Sequence, residues 1–192
     1  MYNVAVFGCG YVGLVSAACL AHLQNNVCCY DTDVTKIRML QHNQVPFYEP
    51  GLSQLVSAQQ SAGRLAFMSS STRALQGAQI VFIAVGTPTG PTGEADLTYV
   101  RQAAREIAAS GPDGLIVVNK STVPVETADM VERIVNAGRE QANRFCVASN
   151  PEFLREGSAI GDFLHPDRVV IGSDDARAVA VLRELNQPLG AP

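Results

Sequence analysis

The chain begins with a short apolar segment that leads directly into a turn containing three glycines. Residues 2–7 read Tyr-Asn-Val-Ala-Val-Phe, and the six that follow, Gly-Cys-Gly-Tyr-Val-Gly, place glycine at positions 8, 10 and 13. Gly8 permits a tight turn, Gly10 lets the backbone approach a pyrophosphate, and Gly13 lets the next helix pack close to the strand. An apolar strand, a glycine turn and a helix in this order predict a dinucleotide-binding βαβ unit.

An acidic residue stands where such a unit meets the ribose of its ligand. Residues 13–23 are small and apolar, as a buried crossover helix requires, and a second apolar segment, 26–30, ends in Asp31. A carboxylate at this position can accept both hydroxyls of an adenosine ribose and would repel a 2′-phosphate, which favours NAD over NADP. The alternative is a βαβ unit with an ordinary glycine turn and no nucleotide.

Composition and charge exclude several classes of protein. The 192 residues are 47% hydrophobic and 17% charged, which is typical of one well-packed globular domain. The net charge of −4 gives no basic footprint for nucleic acid, and no apolar segment is long enough to span a membrane. The five cysteines do not have the spacing of a disulfide framework. We therefore expect a cytoplasmic protein with free thiols, no metal site, and neither a nucleic acid nor a membrane as partner.

Strand-like and helical segments alternate along the whole chain. This alternation predicts an α/β fold of the Rossmann type, with a doubly wound, mostly parallel sheet and helices on both faces. After the first two strands, further strands are predicted at 64–68, 79–85, 115–119, 145–149 and 168–172. Helical segments are predicted at 35–41, 52–60, 71–76, from a cap at Asp96 to about Ser110, and at 125–137.

In a doubly wound sheet, ligands bind beyond the carboxyl ends of the strands, so the loops there are candidate sites. Residues 86–93, Gly-Thr-Pro-Thr-Gly-Pro-Thr-Gly, follow one such strand and offer backbone and hydroxyl groups to a cofactor. A plain Pro/Gly turn is the alternative. Residues 120–124, Lys-Ser-Thr-Val-Pro, follow the next strand, where the lysine could simply be solvated.

The loop with the most ionisable side chains is 149–157, Ser-Asn-Pro-Glu-Phe-Leu-Arg-Glu-Gly. Glu152 and Glu156 are four residues apart with Arg155 between them, a spacing that predicts one side of a helical turn. A solvated face of salt bridges is the alternative. Residues 165–168, His-Pro-Asp-Arg, are interpreted as a structural turn before the last strand and not as a catalytic histidine site.

Ordered motifs over the full length of the chain resemble those of the UDP-glucose/GDP-mannose dehydrogenase family, in its N-terminal NAD domain. They are residues 8–14 (GCGYVGL), 48–52 (YEPGL), 85–89 (VGTPT), 95–97 (ADL), 120–124 (KSTVP) and 150–157 (NPEFLREG). Residues 123–125 and 166–172 resemble the UDP-glucose branch. The resemblance implies oxidation of a nucleotide sugar, expected to be UDP-glucose, from the C6 alcohol to the carboxylate. The family makes two hydride transfers to NAD, through a cysteine-bound thiohemiacetal.

The resemblance also implies roles for single residues. Glu152 would be the acid/base that activates water, and Thr122 would position a water or hydroxyl. Asp31 would hold the adenosine ribose with Lys36 near it, and Glu156 would lie near the nicotinamide. The other cofactor residues implied are Gly8, Gly10, Tyr11, Val12, Gly13, Val85, Gly86, Thr87, Pro88 and Ser121, together with Thr122. The sugar nucleotide would contact Glu152, Phe153, Leu154, Arg155 and Glu156.

One departure concerns the nucleophile. In the family it is a cysteine in a glycine-rich motif followed by Lys and Asp, and none of the cysteines here has these neighbours. The resemblance therefore implies that residues 1–192 are the NAD-binding domain of a longer enzyme, homodimeric or larger, without the central helix and C-terminal domain. Such a fragment is expected to be inactive alone. Two alternatives stay open: a stand-alone NAD(H)-binding or sensing module, and a GDP-mannose-specific relative.

Overall fold

The fold is built on one sheet of short parallel strands, whose order in the sheet differs from their order in the chain. The computed structural model describes residues 1–90, 93–124 and 126–192. Within these ranges, the sheet has six strands in the order β3-β2-β1-β4-β5-β6, with every ladder parallel. The strands are β1 (Asn3–Phe7), β2 (Asn26–Tyr30), β3 (Leu65–Met68), β4 (Ile80–Ile83), β5 (Ile116–Asn119) and β6 (Cys146–Ser149). The winding reverses between β1 and β4, as in dinucleotide-binding folds, and the predicted fold class is confirmed.

Helices cover both faces of the sheet. The helices are α1 (Tyr11–His22), α2 (Val34–Gln41), α3 (Leu52–Ser61), α4 (Ser71–Ala74), α5 (Thr98–Ser110), α6 (Thr127–Val135), α7 (Ala159–Leu164) and α8 (Ala176–Asn186). In β1, Val4 and Val6 pack in one core with α1, α2, α3, α7 and α8, whereas Ala5 and Phe7 pack in a second core with α4, α5 and α6. Because both faces are covered, the central strands β4 and β5 are buried at every position.

Helix α1 lies at the centre of the first core and touches the sheet through glycine. Nine of its twelve residues are buried. A Cβ on Gly13 would lie 1.9 Å from the Gly8 carbonyl oxygen. Gly8 itself has φ +104°, and a Cβ there would lie 2.5 Å from the carbonyl oxygen of Ala84. Both glycines are therefore required by backbone packing alone, before any ligand is considered.

The predicted strand at 168–172 is wrong. Within this segment only Gly172 makes a bridge, an antiparallel one to Ser149. The Val169 N–H donates to the carbonyl of Pro192 (2.9 Å), and the Val170 carbonyl accepts from the Asn150 side chain (2.8 Å). Distant partners thus bond the Val169 N–H and the Val170 carbonyl, groups that a strand would pair within a ladder.

The helical turn predicted across Glu152 and Glu156 is also wrong. The chain is irregular from residue 151 to 155 and enters a turn only at Glu156. The Leu154 N–H donates to the Glu152 carboxylate (2.5 Å), and the Arg155 N–H donates to the Asp162 carboxylate (2.9 Å). These two amides are thus hydrogen-bonded to side-chain carboxylates. In a helix they would instead donate to backbone carbonyls one turn earlier, so the side-chain bonds compete with helix formation.

The remaining predicted segments agree with the structure within a few residues, except at two places. Pro91 and Thr92 of the 86–93 loop, and Val125 at the start of the predicted 125–137 helix, lie outside the described residues. Helices α7 and α8 were not predicted. The sequence did contain one signal for α8, because Asp175 caps its N-terminus by accepting from the Ala178 N–H (2.8 Å). No helix in the described ranges is both long and apolar enough to cross a bilayer.

Gly13→Ala should lower the free energy of unfolding by about 3 kcal/mol, because the new methyl group would overlap the backbone carbonyl of Gly8. Urea unfolding of the native and variant chains measures the change. Gly161→Ala in α7 is the control, since nothing lies within 4 Å of a Cβ at that helical position. Equal urea midpoints for Gly13→Ala and the native chain would contradict the close contact between α1 and the turn.

Candidate functional site

A cleft of about 330 Å³ opens at the carboxyl ends of β1, β2 and β4. This is the point where the winding of the sheet reverses, and it is where ligands bind in folds of this kind. The walls come from the glycine turn, the end of β2, the start of the loop after β4 and one face of α5. The lining residues are Phe7, Gly8, Gly10, Tyr30, Asp31, Thr32, Asp33, Lys36, Ala84, Val85, Gly86, Tyr99, Gln102, Ala103 and Glu106.

The N-terminus of α1 faces this cleft without a cap of its own. Gly10 is the N-cap residue and provides no side-chain cap, and the first turn contains no acidic residue. Unlike Gly8 and Gly13, Gly10 has nothing within 4 Å of the position a Cβ would occupy. The first amides of the helix and the positive end of its dipole therefore face open space. This arrangement fits a pyrophosphate.

The Asp31 carboxylate is held at the mouth of the cleft by three donors. Its Oδ2 accepts from the Cys9 N–H (2.8 Å) and from Lys36 Nζ (3.0 Å), and its Oδ1 accepts from the Asp33 N–H (2.9 Å). Burial raises the pKa of Asp31, but these donors lower it by more, so the net shift is downward. Asp31 is therefore an anion at neutral pH, fixed relative to the glycine turn.

The same contacts leave Asp31 nearly saturated as an acceptor. An ionised carboxylate offers about four lone-pair positions, and three are occupied here. Two ribose hydroxyls therefore need one position more than is free. Lys36 is the donor that can leave, because its ammonium is on a flexible side chain whereas the other two donors are backbone amides.

The loops after β4 and β5 are joined by two hydroxyls that the sequence analysis assigned to the cofactor site. Ser121 Oγ donates to the Val85 carbonyl (2.8 Å), and Thr87 Oγ1 donates to the Thr122 carbonyl (2.9 Å). Each bond runs from one loop to the other. The two loops are thus hydrogen-bonded to each other at this end of the sheet, and Thr122 is exposed.

Lys120 is buried and not solvated. It is 6% exposed, and its Nζ donates to Asn150 Oδ1 (3.2 Å) and lies 5.8 Å from the ring of Phe82 and 5.6 Å from that of Phe163. Burial lowers the pKa of Lys120 to about 8, against the opposing effect of the negative charge of Glu152. The lysine thus ties the end of β5 to the beginning of the 150–157 loop.

The 150–157 loop lies apart from the cleft, over a cavity of about 40 Å³ that both Lys120 and Glu152 line. The alternative interpretation, a solvated face of salt bridges, has a different partner from the two glutamates, because Arg155 pairs with Asp162 (2.6 Å). Phe153 is 59% exposed. The loop therefore presents an aromatic ring and an acidic side chain, Glu156, to solvent next to the half-buried Glu152.

The cleft brings together part of the predicted cofactor set and adds residues that were not predicted. The predicted residues that line the cleft are Gly8, Gly10, Asp31, Lys36, Val85 and Gly86. The predicted residues outside its lining are Tyr11, Val12 and Gly13 of the first turn of α1, and Thr87, Pro88, Ser121, Thr122, Glu152, Phe153, Leu154, Arg155 and Glu156. The residues that were missed on α5, Tyr99, Gln102, Ala103 and Glu106, have the helical spacing of three, four and seven.

Comparison with known proteins identifies the family. The sequence model of the UDP-glucose/GDP-mannose dehydrogenase family, NAD binding domain, matches residues 2–190. The chain belongs to this family. The predicted family and the predicted cofactor, NAD, are confirmed. The open cradle at Gly10 and the anionic Asp31 suit that dinucleotide.

Individual relatives are similar over the whole of this NAD-binding domain. UDP-glucose 6-dehydrogenase TuaD of Bacillus subtilis is 48% identical over 192 residues, 100% of this chain and 42% of the relative. The structure of a UDP-glucose dehydrogenase from the archaeon Pyrobaculum islandicum has a TM-score of 0.93 at 44% identity, over 100% of this chain and 45% of the other. A GDP-mannose dehydrogenase from Pseudomonas aeruginosa has a TM-score of 0.92 at 34% identity, over 99% and 45%. The chain thus spans less than half the length of these relatives.

Gly10→Ala should weaken NAD binding at least about tenfold while leaving stability unchanged, because the methyl group fills the space that the pyrophosphate needs. The backbone at Gly10, with φ −74°, accepts alanine. Calorimetric titration with NAD and urea unfolding give the two measurements, and Gly161→Ala serves again as the control. An unchanged affinity would place the pyrophosphate elsewhere.

Lys120→Met should change how stability depends on pH. Between the folded pKa of about 8 and the ordinary 10.5, the unfolded chain binds more protons at Lys120 than the folded chain does. The stability of the native protein therefore rises across this window, and below it the cost of the buried charge is constant. Relative to Lys120→Met, the native chain should gain roughly 3 kcal/mol of unfolding free energy over the window. Parallel pH profiles would contradict this, because they would show that the pKa of Lys120 is the same in the folded and unfolded chains, as for a solvated lysine.

Proposed function

We propose that residues 1–192 are the NAD-binding domain of a UDP-glucose 6-dehydrogenase. The observation that carries the proposal is the 48% identity over the entire chain to a relative of that name. Identity to the GDP-mannose dehydrogenase structure is 34%, which favours UDP-glucose as the substrate. At the relatives' length, the enzyme would oxidise the C6 alcohol of UDP-glucose to the carboxylate of UDP-glucuronate, a precursor for polysaccharide synthesis.

The reaction makes defined demands on the protein. Converting the alcohol to the acid adds one molecule of water and removes, from the alcohol and the water together, two hydrides and two protons; the acid then ionises. NAD, when bound, accepts the hydrides, one per cofactor molecule. In this chain the amides at the N-terminus of α1 bind the pyrophosphate, and Asp31 binds the adenosine ribose. The loops after β4 and β5 enclose the rest of the cofactor.

Two residues of the chain are proposed to act on the water. Asn119 of β5 pairs in register with Ser149 of β6. Thr122 and Glu152 each follow these positions by three residues, so they leave the sheet at the same edge. Thr122 would position the water and Glu152 would take its proton, the arrangement that general base catalysis requires. Phe153, Leu154, Arg155 and Glu156 would contact the sugar nucleotide, with Glu156 toward the nicotinamide.

The proposal extends to assembly and location. The structure describes all five cysteines as free thiols, which supports a reducing compartment, the cytoplasm. A homodimer or larger assembly is proposed for the enzyme at the relatives' length, where residues beyond these 192 would supply the nucleophilic cysteine.

The decisive experiment measures NADH formation by the polypeptide at the relatives' length, with UDP-glucose and GDP-mannose offered in parallel. Reduction of NAD with UDP-glucose is the expected result. Faster reduction with GDP-mannose would reassign the substrate. NAD binding without reduction in the presence of any nucleotide sugar would indicate a stand-alone NAD-binding module.

Glu152→Gln in the same polypeptide should stop turnover after the two hydride transfers and before water releases the cysteine-bound acyl group, because an amide cannot take a proton from water. A single rapid burst of NADH and a steady-state rate reduced at least about a hundredfold are expected. Glu140→Gln is the matched control, because it makes the same substitution at an exposed glutamate. A normal steady-state rate for Glu152→Gln would remove the residue from the mechanism.

A further inference from the structure

Glu49 is a buried carboxylate outside the cleft, and it has no part in the proposed chemistry. It is 4% exposed, although Tyr48 beside it is 87% exposed. Its Oε2 accepts from the Tyr11 hydroxyl (2.6 Å) and from the Gly157 N–H (2.7 Å), and its Oε1 accepts from the Ala159 N–H (2.9 Å). A buried charge is tolerated only when it is bonded in this way.

The partners of Glu49 belong to two different functional segments. Tyr11 is the first residue of α1 and lies between Gly10 and Gly13 of the pyrophosphate cradle. Gly157 ends the 150–157 loop, and Ala159 begins α7. One side chain therefore connects the cofactor turn to the loop proposed to hold the sugar nucleotide. These contacts span 38, 108 and 110 residues of sequence.

The hydrogen bonds of Glu49 are made by an ionised carboxylate and are short. Burial raises the pKa of Glu49, but the Tyr11 hydroxyl and the amides of Gly157, Ala159 and Ile160 lower it by more, so the net shift is downward. Hydrogen bonds to an ionised acceptor are about twice as strong as neutral ones. The Tyr11 hydroxyl also lies 3.2 Å from the Arg155 carbonyl, a second contact with the same loop.

We propose that Glu49 is a positioning residue that couples NAD binding to the order of the 152–159 segment. A pyrophosphate on the first amides of α1 restrains the backbone of Tyr11, and the Tyr11 hydroxyl passes this restraint to Glu49. Glu49 in turn holds the amides of Gly157 and Ala159 and so the loop that carries Glu152. Coupling is reciprocal, so an ordered loop also favours bound NAD. The inference rests on the proposed function only for the role of the loop in binding sugar nucleotide.

Tyr11→Phe separates the coupling from the packing. The ring of Tyr11 packs on Phe47 with centroids 5.4 Å apart, and phenylalanine keeps this contact while losing the hydroxyl. Glu49→Gln is the second variant, because an amide cannot accept at both of its polar atoms. Tyr48→Phe is the matched control, since it deletes an exposed hydroxyl next to Glu49.

The test is amide hydrogen exchange of this chain with and without NAD, together with an NAD titration of each variant. In the native chain and in Tyr48→Phe, NAD should slow exchange across 152–159 roughly fivefold or more, the lower end of typical coupling. Tyr11→Phe should lose this NAD-dependent slowing even at the NAD concentration that saturates the variant in its own titration. Glu49→Gln should exchange rapidly in this segment whether or not NAD is present.

Other results separate the two proposals. Retained NAD-dependent slowing in Tyr11→Phe would overturn the coupling, as would a native chain that binds NAD with no change in this segment. Both of those results leave the proposed dehydrogenase function intact. Absence of NAD binding by the native chain in the titration would contradict the cofactor site and the coupling together.

Discussion

The contact between helix α1 and the glycine turn is the constraint on which the rest of the structure depends. The absence of side chains at Gly8 and Gly13 lets the helix backbone meet the turn directly. This contact seats α1 in the middle of the first core, where nearly all of it is buried. It also aims the uncapped end of the helix at the place where the sheet reverses its winding. Core packing and ligand binding therefore require the same three-glycine segment.

Local sequence pattern was sufficient wherever the determining contacts are local. The βαβ unit and Asp31 were predictable because apolar periodicity, glycine spacing and the acidic residue all lie within one stretch of about thirty residues. The segment 168–172 has the composition of a strand, yet Asn150 and Pro192 satisfy its backbone from distant parts of the chain. The face of α5 in the cleft and the role of Glu49 likewise depend on tertiary neighbours that no local pattern contains.

Two ionised side chains are buried at the same end of the sheet, and the fold stabilises them differently. Glu49 is surrounded by backbone amides and a hydroxyl, which favour its charged form. Lys120 has one amide oxygen and two aromatic rings, which compensate its charge only in part, as its lowered pKa indicates. The hydrogen bonds of Glu49 give a rigid link between segments. The charged form of Lys120 depends in addition on the negative charge of the nearby Glu152.

The near-saturation of Asp31 has a consequence for how the dinucleotide comes and goes. In the proposed assignment, a ribose bound at Asp31 would replace the Lys36 ammonium group, so binding would be an exchange of partners and not a net addition. The gain in free energy from this contact is correspondingly small, and Lys36 is in place to reclaim the carboxylate when the ribose leaves. The proposed reaction would consume two cofactors for each sugar, so the first would have to leave before the second binds. An internal competitor at the proposed ribose site would shorten the stay of each one.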